Sequence, residues 1–236
     1  MSTCVLHPST PRSLERTSLQ KIDERLQAVA PQTYPVLLEH AREMPCLFFT
    51  GPIVTAAASS TDASWSVDEW KDSELVVYVL SKSVMPMARL ICSLSTGAVE
   101  CQLSRSKRLV LLRMEDITVR IMQDGDSGKY YGTPEEVLLS FDLSYQHVGM
   151  YRGLCFTLPD YRDTLQSGVS KVLSEAVSKS QVKQCLDQGY PVSLSLDTRE
   201  KVKGVELDQM PLLLANWHSD CDAPSEVFHT WDHEND

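Results

Sequence analysis

The sequence predicts an α+β fold. We expect an N-terminal helical hairpin, an antiparallel meander or open barrel of about seven to nine strands, one long amphipathic helix in the C-terminal half and a terminal β hairpin. Two observations predict this class: apolar residues follow a helical period near both ends of the chain, whereas short apolar runs separated by turn residues fill its middle. The chain has 236 residues, of which 42% are hydrophobic and 23% charged, a composition typical of globular proteins.

Residues 1–45 predict an N-terminal segment built around a helical hairpin. Thr17 and Gln20 have the spacing of a capping box, and Pro31 ends the first helix. A second helix begins near Pro35, a residue suited to a first helical turn. The apolar stripe of the first helix is predicted to bind a partner protein through three residues: Leu19, Ile22 and Leu26.

Residues 46–215 are predicted to form one compact α+β domain. Turn residues such as Gly97 and Gly153 separate short apolar runs, and connections this short join antiparallel neighbours. The predicted strands cover residues 46–54, 75–80, 88–94, 99–103, 109–114, 117–122, 137–143 and 154–158.

The C-terminal part of this domain returns to a helical pattern. An apolar stripe runs through residues 160–188, and Gly189 is placed to end the helix. Residues 192–196 and 202–207 then predict a last hairpin.

Net charge and cysteine usage restrict the partners and the compartment. The formal net charge is −10, so nucleic acid is an unlikely partner unless a local basic patch binds it. The seven cysteines lie mostly inside apolar runs and predict buried thiols. Because no stretch of about 20 apolar residues occurs, no membrane span is predicted. We expect a cytoplasmic or nuclear protein.

The acidic aromatic tail, residues 216–236, offers two chemistries. Two close pairs of imidazole and thiol ligands have spacings that fit tetrahedral zinc, the one cofactor that the sequence suggests: His218, Cys221, His229 and His233. The alternative is a tail without metal that binds a partner protein through large aromatic side chains among carboxylates: Trp217, Phe228 and Trp231.

A basic hairpin is a second candidate site. Four cations around one predicted turn could hold a phosphate or an inositol headgroup, although a solvated hairpin tip explains them as well: Arg105, Lys107, Arg108 and Arg113.

Catalytic motifs are scarce. The sequence contains no glycine-rich phosphate loop, no G-x-S-x-G nucleophile turn and no H-E-x-x-H metal helix. The one compact nucleophilic set is Asp142, His147 and Cys155, which would make a small cysteine-dependent hydrolase if folding brought the three together.

These observations favour a non-catalytic intracellular adaptor or assembly subunit, cellular or viral, that binds other protein subunits or itself. The first alternative is a β module that binds an anionic ligand, a phosphoinositide or nucleic acid, through the basic hairpin. The second alternative is the cysteine-dependent hydrolase.

Overall fold

The computed structural model confirms the α+β class and describes residues 3–71, 73–104, 108–124, 129–174, 176–195, 213–214 and 227–228. The chain divides into two compact units. The larger unit comprises Glu15–Phe141 and Gln146–Leu158, and the smaller unit comprises Met1–Leu14, Asp142–Tyr145 and Pro159–Asp236.

The strands of the described residues are short. Their bounds are β1 (Thr3–Leu6), β2 (Leu47–Thr50), β3 (Glu74–Val79), β4 (Glu100–Ser104), β5 (Leu109–Arg113), β6 (Thr118–Met122), β7 (Val148–Tyr151), β8 (Leu154–Thr157), β9 (Ser170–Lys171), β10 (Val192–Ser195), β11 (Leu213–Leu214) and β12 (Val227–Phe228).

The α-helices alternate with these strands. Their bounds are α1 (Leu19–Val29), α2 (Thr33–Glu43), α3 (Pro52–Ser59), α4 (Val67–Trp70), α5 (Met85–Ser95), α6 (Pro134–Leu138), α7 (Pro159–Ser167) and α8 (Lys179–Asp187). Helices α1 and α2 confirm the predicted helical pair. Among the described residues, no helix is both long and apolar enough to cross a bilayer.

The larger unit is built on a seven-stranded sheet with the order β4-β5-β6-β3-β2-β7-β8. All neighbouring pairs are antiparallel except β3 and β6, which run parallel with Val77 opposite Ile121. The predicted simple meander is therefore wrong, because a parallel pair needs a crossover connection. Helix α5 and the β4–β5 pair form the connection between β3 and β6.

One segment predicted as a strand is helical, and another begins in a helix. Residues 88–94 lie in α5, where Pro86 occupies the first turn and the buried Met87, Leu90 and Leu94 are spaced as on one helix face. Residues 137–143 begin in α6, whose first turn is capped by Thr133. In both segments a short apolar run is compatible with helix or strand, and the proline and cap decide the outcome.

The predicted long helix at 160–188 is divided. Gly168, with φ of 72°, follows α7, and Ser178 then caps α8 in a capping box with Gln181. Strand β9 lies between the two helices and pairs parallel with β10, while β1 pairs antiparallel with the other edge of β10. The predicted partner of β10, residues 202–207, lies outside the described residues.

Candidate functional site

A cleft of about 580 Å³ opens in the larger unit, and we call it the α2–β7 cleft. Its volume lies in the range typical of small-molecule sites. Helices α1 and α2, strand β2 and the β7–β8 turn supply its walls. The lining combines apolar, cationic and acidic side chains, among them Phe49, Met150, Tyr151, Arg42, Arg152 and Asp23.

The apolar base of the cleft comes from two paired strands. Phe49 on β2 lies opposite Met150 on β7, and each is only 3% exposed. The strands approach closely because residue 149 has no side chain: a Cβ on Gly149 would lie 2.2 Å from the Phe48 ring. Phe49 and Met150 thus give the cleft an apolar base.

One rim of the cleft is a two-residue β turn in an uncommon backbone conformation. Arg152 has φ of 51° and Gly153 φ of 68°, the positive angles that a type I′ hairpin turn requires at both central positions. Asn-Gly is the usual pair there, and a left-handed backbone costs a side-chain-bearing residue roughly 1–2 kcal/mol. The hairpin thus places a strained arginine at the rim.

Neighbouring groups orient this arginine. Arg152 Nε donates a hydrogen bond of 3.2 Å to the Pro45 carbonyl, and its guanidinium carbon lies 5.0 Å from the centroid of the Tyr151 ring. The hydrogen bond uses one of the five guanidinium N–H donors. The others are left to bind an acceptor in or near the cleft.

A second arginine lies in the last turn of α2. Arg42 is exposed, and within the described part of the chain no carboxylate reaches ion-pair distance of Arg42 or Arg152. Other arginines of the unit differ: Arg89 binds Glu43 at 2.6 Å. The cleft therefore presents two arginines that form no ion pair with a described carboxylate.

A carboxylate faces the cleft from α1. Asp23 accepts a hydrogen bond of 2.6 Å from the hydroxyl of Tyr34, which is fully buried in the first turn of α2. Burial, followed by the hydrogen bond and the charge of Asp23, raises the pKa of Tyr34 far above its ordinary value of 10.0. The phenol consequently stays protonated and donates to Asp23 over the physiological pH range.

The residues of the first helix that were predicted to bind a partner protein pack inside the larger unit. Ile22 and Leu26 are 0% and 1% exposed, and Leu19 is half-buried. The apolar stripe packs into the larger unit's own core, so it offers no docking surface.

The predicted basic hairpin is only partly described. Arg108 lies 3.5 Å from Asp124 in an ion pair, and Arg113 lies opposite Glu100 on β4. Arg105 and Lys107 lie outside the described residues. Of these two described cations, only Arg108 forms an ion pair.

Most residues of the predicted tail sites lie outside the described residues: Trp217, His218, Cys221, His229, Trp231 and His233. Phe228 belongs to β12, whose backbone pairs with Leu213 of β11. In the remaining described chain, no three His, Cys, Asp or Glu side chains are grouped as a metal site requires.

The predicted nucleophilic pair does not form. Met150 lies opposite Cys155 in the β7–β8 pair, and further along the Leu158 N–H donates to the His147 carbonyl. Cys155 and Leu158, the residue that pairs with His147, are three apart along the chain and therefore face opposite sides of the sheet. Cys155 and His147 thus point away from each other. Asp142 instead accepts a hydrogen bond of 2.8 Å from Gln181.

Sequence reasoning missed the α2–β7 cleft because its residues are far apart in the chain. Asp23, Arg42 and Arg152 belong to three different elements, and no spacing rule connects them. One local signal was present: an arginine in the first position of an x-Gly hairpin turn, where asparagine or aspartate is usual.

Comparison with known proteins gives similarity of fold only. No family model and no curated protein matches the chain. A solved structure of a tRNA nucleotidyltransferase, complexed with a primer tRNA and an incoming ATP analogue, is 12% identical with a TM-score of 0.49, covering 73% of this chain and 52% of that one. A Thermotoga maritima CCA-adding enzyme complexed with tRNA is 12% identical with a TM-score of 0.47, covering 77% and 45%.

This comparison stands against two predictions. The similar structures are tRNA-processing enzymes, a finding that does not agree with the expected non-catalytic adaptor or assembly subunit, nor with the expectation that nucleic acid is an unlikely partner. This chain spans about half the length of those structures, with shares of 52% and 45%. At such identities and TM-scores the likeness assigns no activity, substrate or partner to this chain.

Proposed function

We propose that this protein binds a nucleotide in the α2–β7 cleft. The observation that supports the proposal is the combination of an apolar base with two arginines that form no ion pair among the described residues. A nucleotide carries the complementary features on one molecule: an anionic phosphate chain and a planar base.

The phosphate end is bound by Arg42 and Arg152. Guanidinium groups match phosphate geometry with two parallel hydrogen bonds, and such charge-assisted bonds are about twice as strong as neutral ones. The Pro45 carbonyl holds Arg152 at the rim, which lowers the entropy cost of ordering this side chain when the phosphate binds.

The base end lies on the apolar surface. Phe49 and Met150 line this surface, and Phe49 is its aromatic residue. Stacking of a base on an aromatic side chain contributes about 1–3 kcal/mol and is tolerant of base identity. We therefore expect similar affinities for purine and pyrimidine nucleotides.

A cytosolic or nuclear location suits this function. Nucleotides are abundant there, and thiols stay reduced. The described chain contains free thiols, of which Cys92 and Cys101 are exposed.

Calorimetric titration of the purified protein with ATP and CTP tests the proposal. We expect binding of both, and we expect Arg42→Ala and Arg152→Ala each to raise Kd about tenfold or more, because a hydrogen bond to a charged group contributes about 1.5–3 kcal/mol. Arg113→Ala is the matched control, since this exposed arginine lies on β5 and does not line the cleft.

Two results would overturn the proposal. One is the absence of heat or saturation with either nucleotide at millimolar concentration. The other is an equal loss of affinity in Arg113→Ala, which would reduce the interaction to general attraction between charges. Inorganic triphosphate, titrated in parallel, should bind more weakly than ATP because it lacks the base.

A further inference from the structure

We infer that the α2–β7 cleft prefers ribonucleotides over 2′-deoxyribonucleotides, and that Asp23, held by Tyr34, recognises the sugar hydroxyls. This inference rests on the proposed nucleotide binding and adds a residue that determines specificity. It starts from a carboxylate in a cleft that otherwise attracts anions.

Asp23 is the one acidic residue among the described residues that line the cleft. Its charge would repel phosphate, so it must face a part of the ligand that carries hydrogen-bond donors and no negative charge. An ionised carboxylate is an acceptor only, whereas phosphate oxygens carry no donors at neutral pH. On a nucleotide, the hydrogen-bond donors that are present whichever base it carries are the sugar hydroxyls.

The position of Asp23 is fixed. Tyr34 donates to Asp23 Oδ1 at 2.6 Å, and the same hydroxyl lies 3.7 Å from Met150 Sδ beneath the cleft. Because α1 carries the carboxylate and α2 carries the phenol, the hydrogen bond joins the two helices that form this wall. A positioned acceptor loses little entropy when a ligand hydroxyl binds to it.

Selectivity follows from what a missing hydroxyl leaves behind. A site built to accept a hydrogen bond discriminates strongly against a ligand that lacks the donor, because the polar group then stays unpaired. Asp23 is half-buried, so water compensates in part. We expect a preference for the ribonucleotide of about tenfold, equivalent to about 1.4 kcal/mol.

The experiment compares ATP with 2′-deoxy-ATP on the full-length protein and on three variants. Asp23→Asn retains the shape of the side chain and should abolish most of the preference for ATP while leaving the Kd for 2′-deoxy-ATP nearly unchanged. Tyr34→Phe removes only the positioning hydroxyl and should reduce the preference to an intermediate value. Glu24→Gln, an exposed neighbour on α1, should behave as wild type.

Each outcome separates this inference from the proposed function. Equal affinity of the wild-type protein for ATP and 2′-deoxy-ATP would overturn the role of Asp23 and leave nucleotide binding intact. A preference that follows the base, tested with UTP and its deoxy form, would show that Asp23 recognises the base and would also overturn the inference. Failure to bind any nucleotide would instead remove the proposed function.

Discussion

At the scale of single residues, Gly149 has the tightest surroundings of the described glycines. A Cβ there would lie 2.2 Å from Phe48 Cζ and 2.7 Å from the Phe49 carbonyl oxygen. The Phe48 ring covers the glycine from the neighbouring strand, a position that no side chain can share. The close pairing of β2 with β7 therefore depends on the absence of a side chain at residue 149.

We predict that Gly149→Ala destabilises the protein by about 2 kcal/mol or more, since overpacking a rigid core typically costs about 1–3 kcal/mol and part of this contact is backbone. Urea denaturation followed by circular dichroism measures the change. Gly132→Ala is the control, because its nearest neighbour lies at 3.5 Å and should cost little. Equal denaturation midpoints for the two variants would contradict the packing described here.

At the scale of elements, the helix that carries Arg42 is capped from a distant loop. Asp116, between β5 and β6, accepts hydrogen bonds from the backbone N–H groups of Gln32 and Thr33 at 2.9 and 3.0 Å, and from the Thr33 hydroxyl at 2.5 Å. The side chain of the N-cap residue, Gln32, makes no capping hydrogen bond itself. The negative charge of the carboxylate also interacts favourably with the positive, N-terminal end of the helix dipole.

Asp116→Ala should lower the free energy of unfolding by about 1–2 kcal/mol, the range measured for loss of a capping side chain. Thermal denaturation with and without ATP provides the measurement. The control is Asp68→Ala, which removes an exposed ion pair with Lys71 and should leave the melting temperature nearly unchanged. If the two variants have the same melting temperature, Asp116 contributes no more to stability than an exposed surface charge.

The sequence predicts elements well where a local cap or proline marks them. Helix α1 was placed correctly, although its cap is Ser18 and not Thr17, whose hydroxyl instead lies 3.4 Å from the Ser60 carbonyl. The predicted strand at 46–54 ends early because Gly51, with φ of 101°, turns the chain into α3. Where such marks were overlooked, at Pro86 and Thr133, apolar runs that enter helices were predicted as strands.

At the scale of the whole molecule, strand order and the candidate site could not be predicted. The parallel pairing of β3 with β6 follows from a crossover that no local signal encodes. The α2–β7 cleft forms only when this sheet brings β2 beside β7 and α1 beside α2. Local patterns therefore gave the fold class, whereas tertiary contacts determine the candidate site.

The free thiols allow a test of the whole fold. Complete burial raises the pKa of the Cys185 thiol well above its ordinary value, while Cys92 and Cys101 are exposed. We predict that iodoacetamide at pH 8 alkylates Cys92 and Cys101 and spares Cys185 until denaturant is added. Peptide mass spectrometry measures each site, and rapid alkylation of native Cys185 would contradict the described core of the smaller unit.

The pairing of β1 with β10 has a consequence for synthesis of the protein on the ribosome. Thr3–Leu6 leaves the ribosome before the larger unit but cannot find its partner until Val192–Ser195 has been translated. All segments of the larger unit end at Leu158, so its sheet can close earlier. Strand β1 is thus made before the strands of the larger unit and paired after them, and it stays an unpaired strand edge, which chaperones would bind, while about 185 intervening residues are translated.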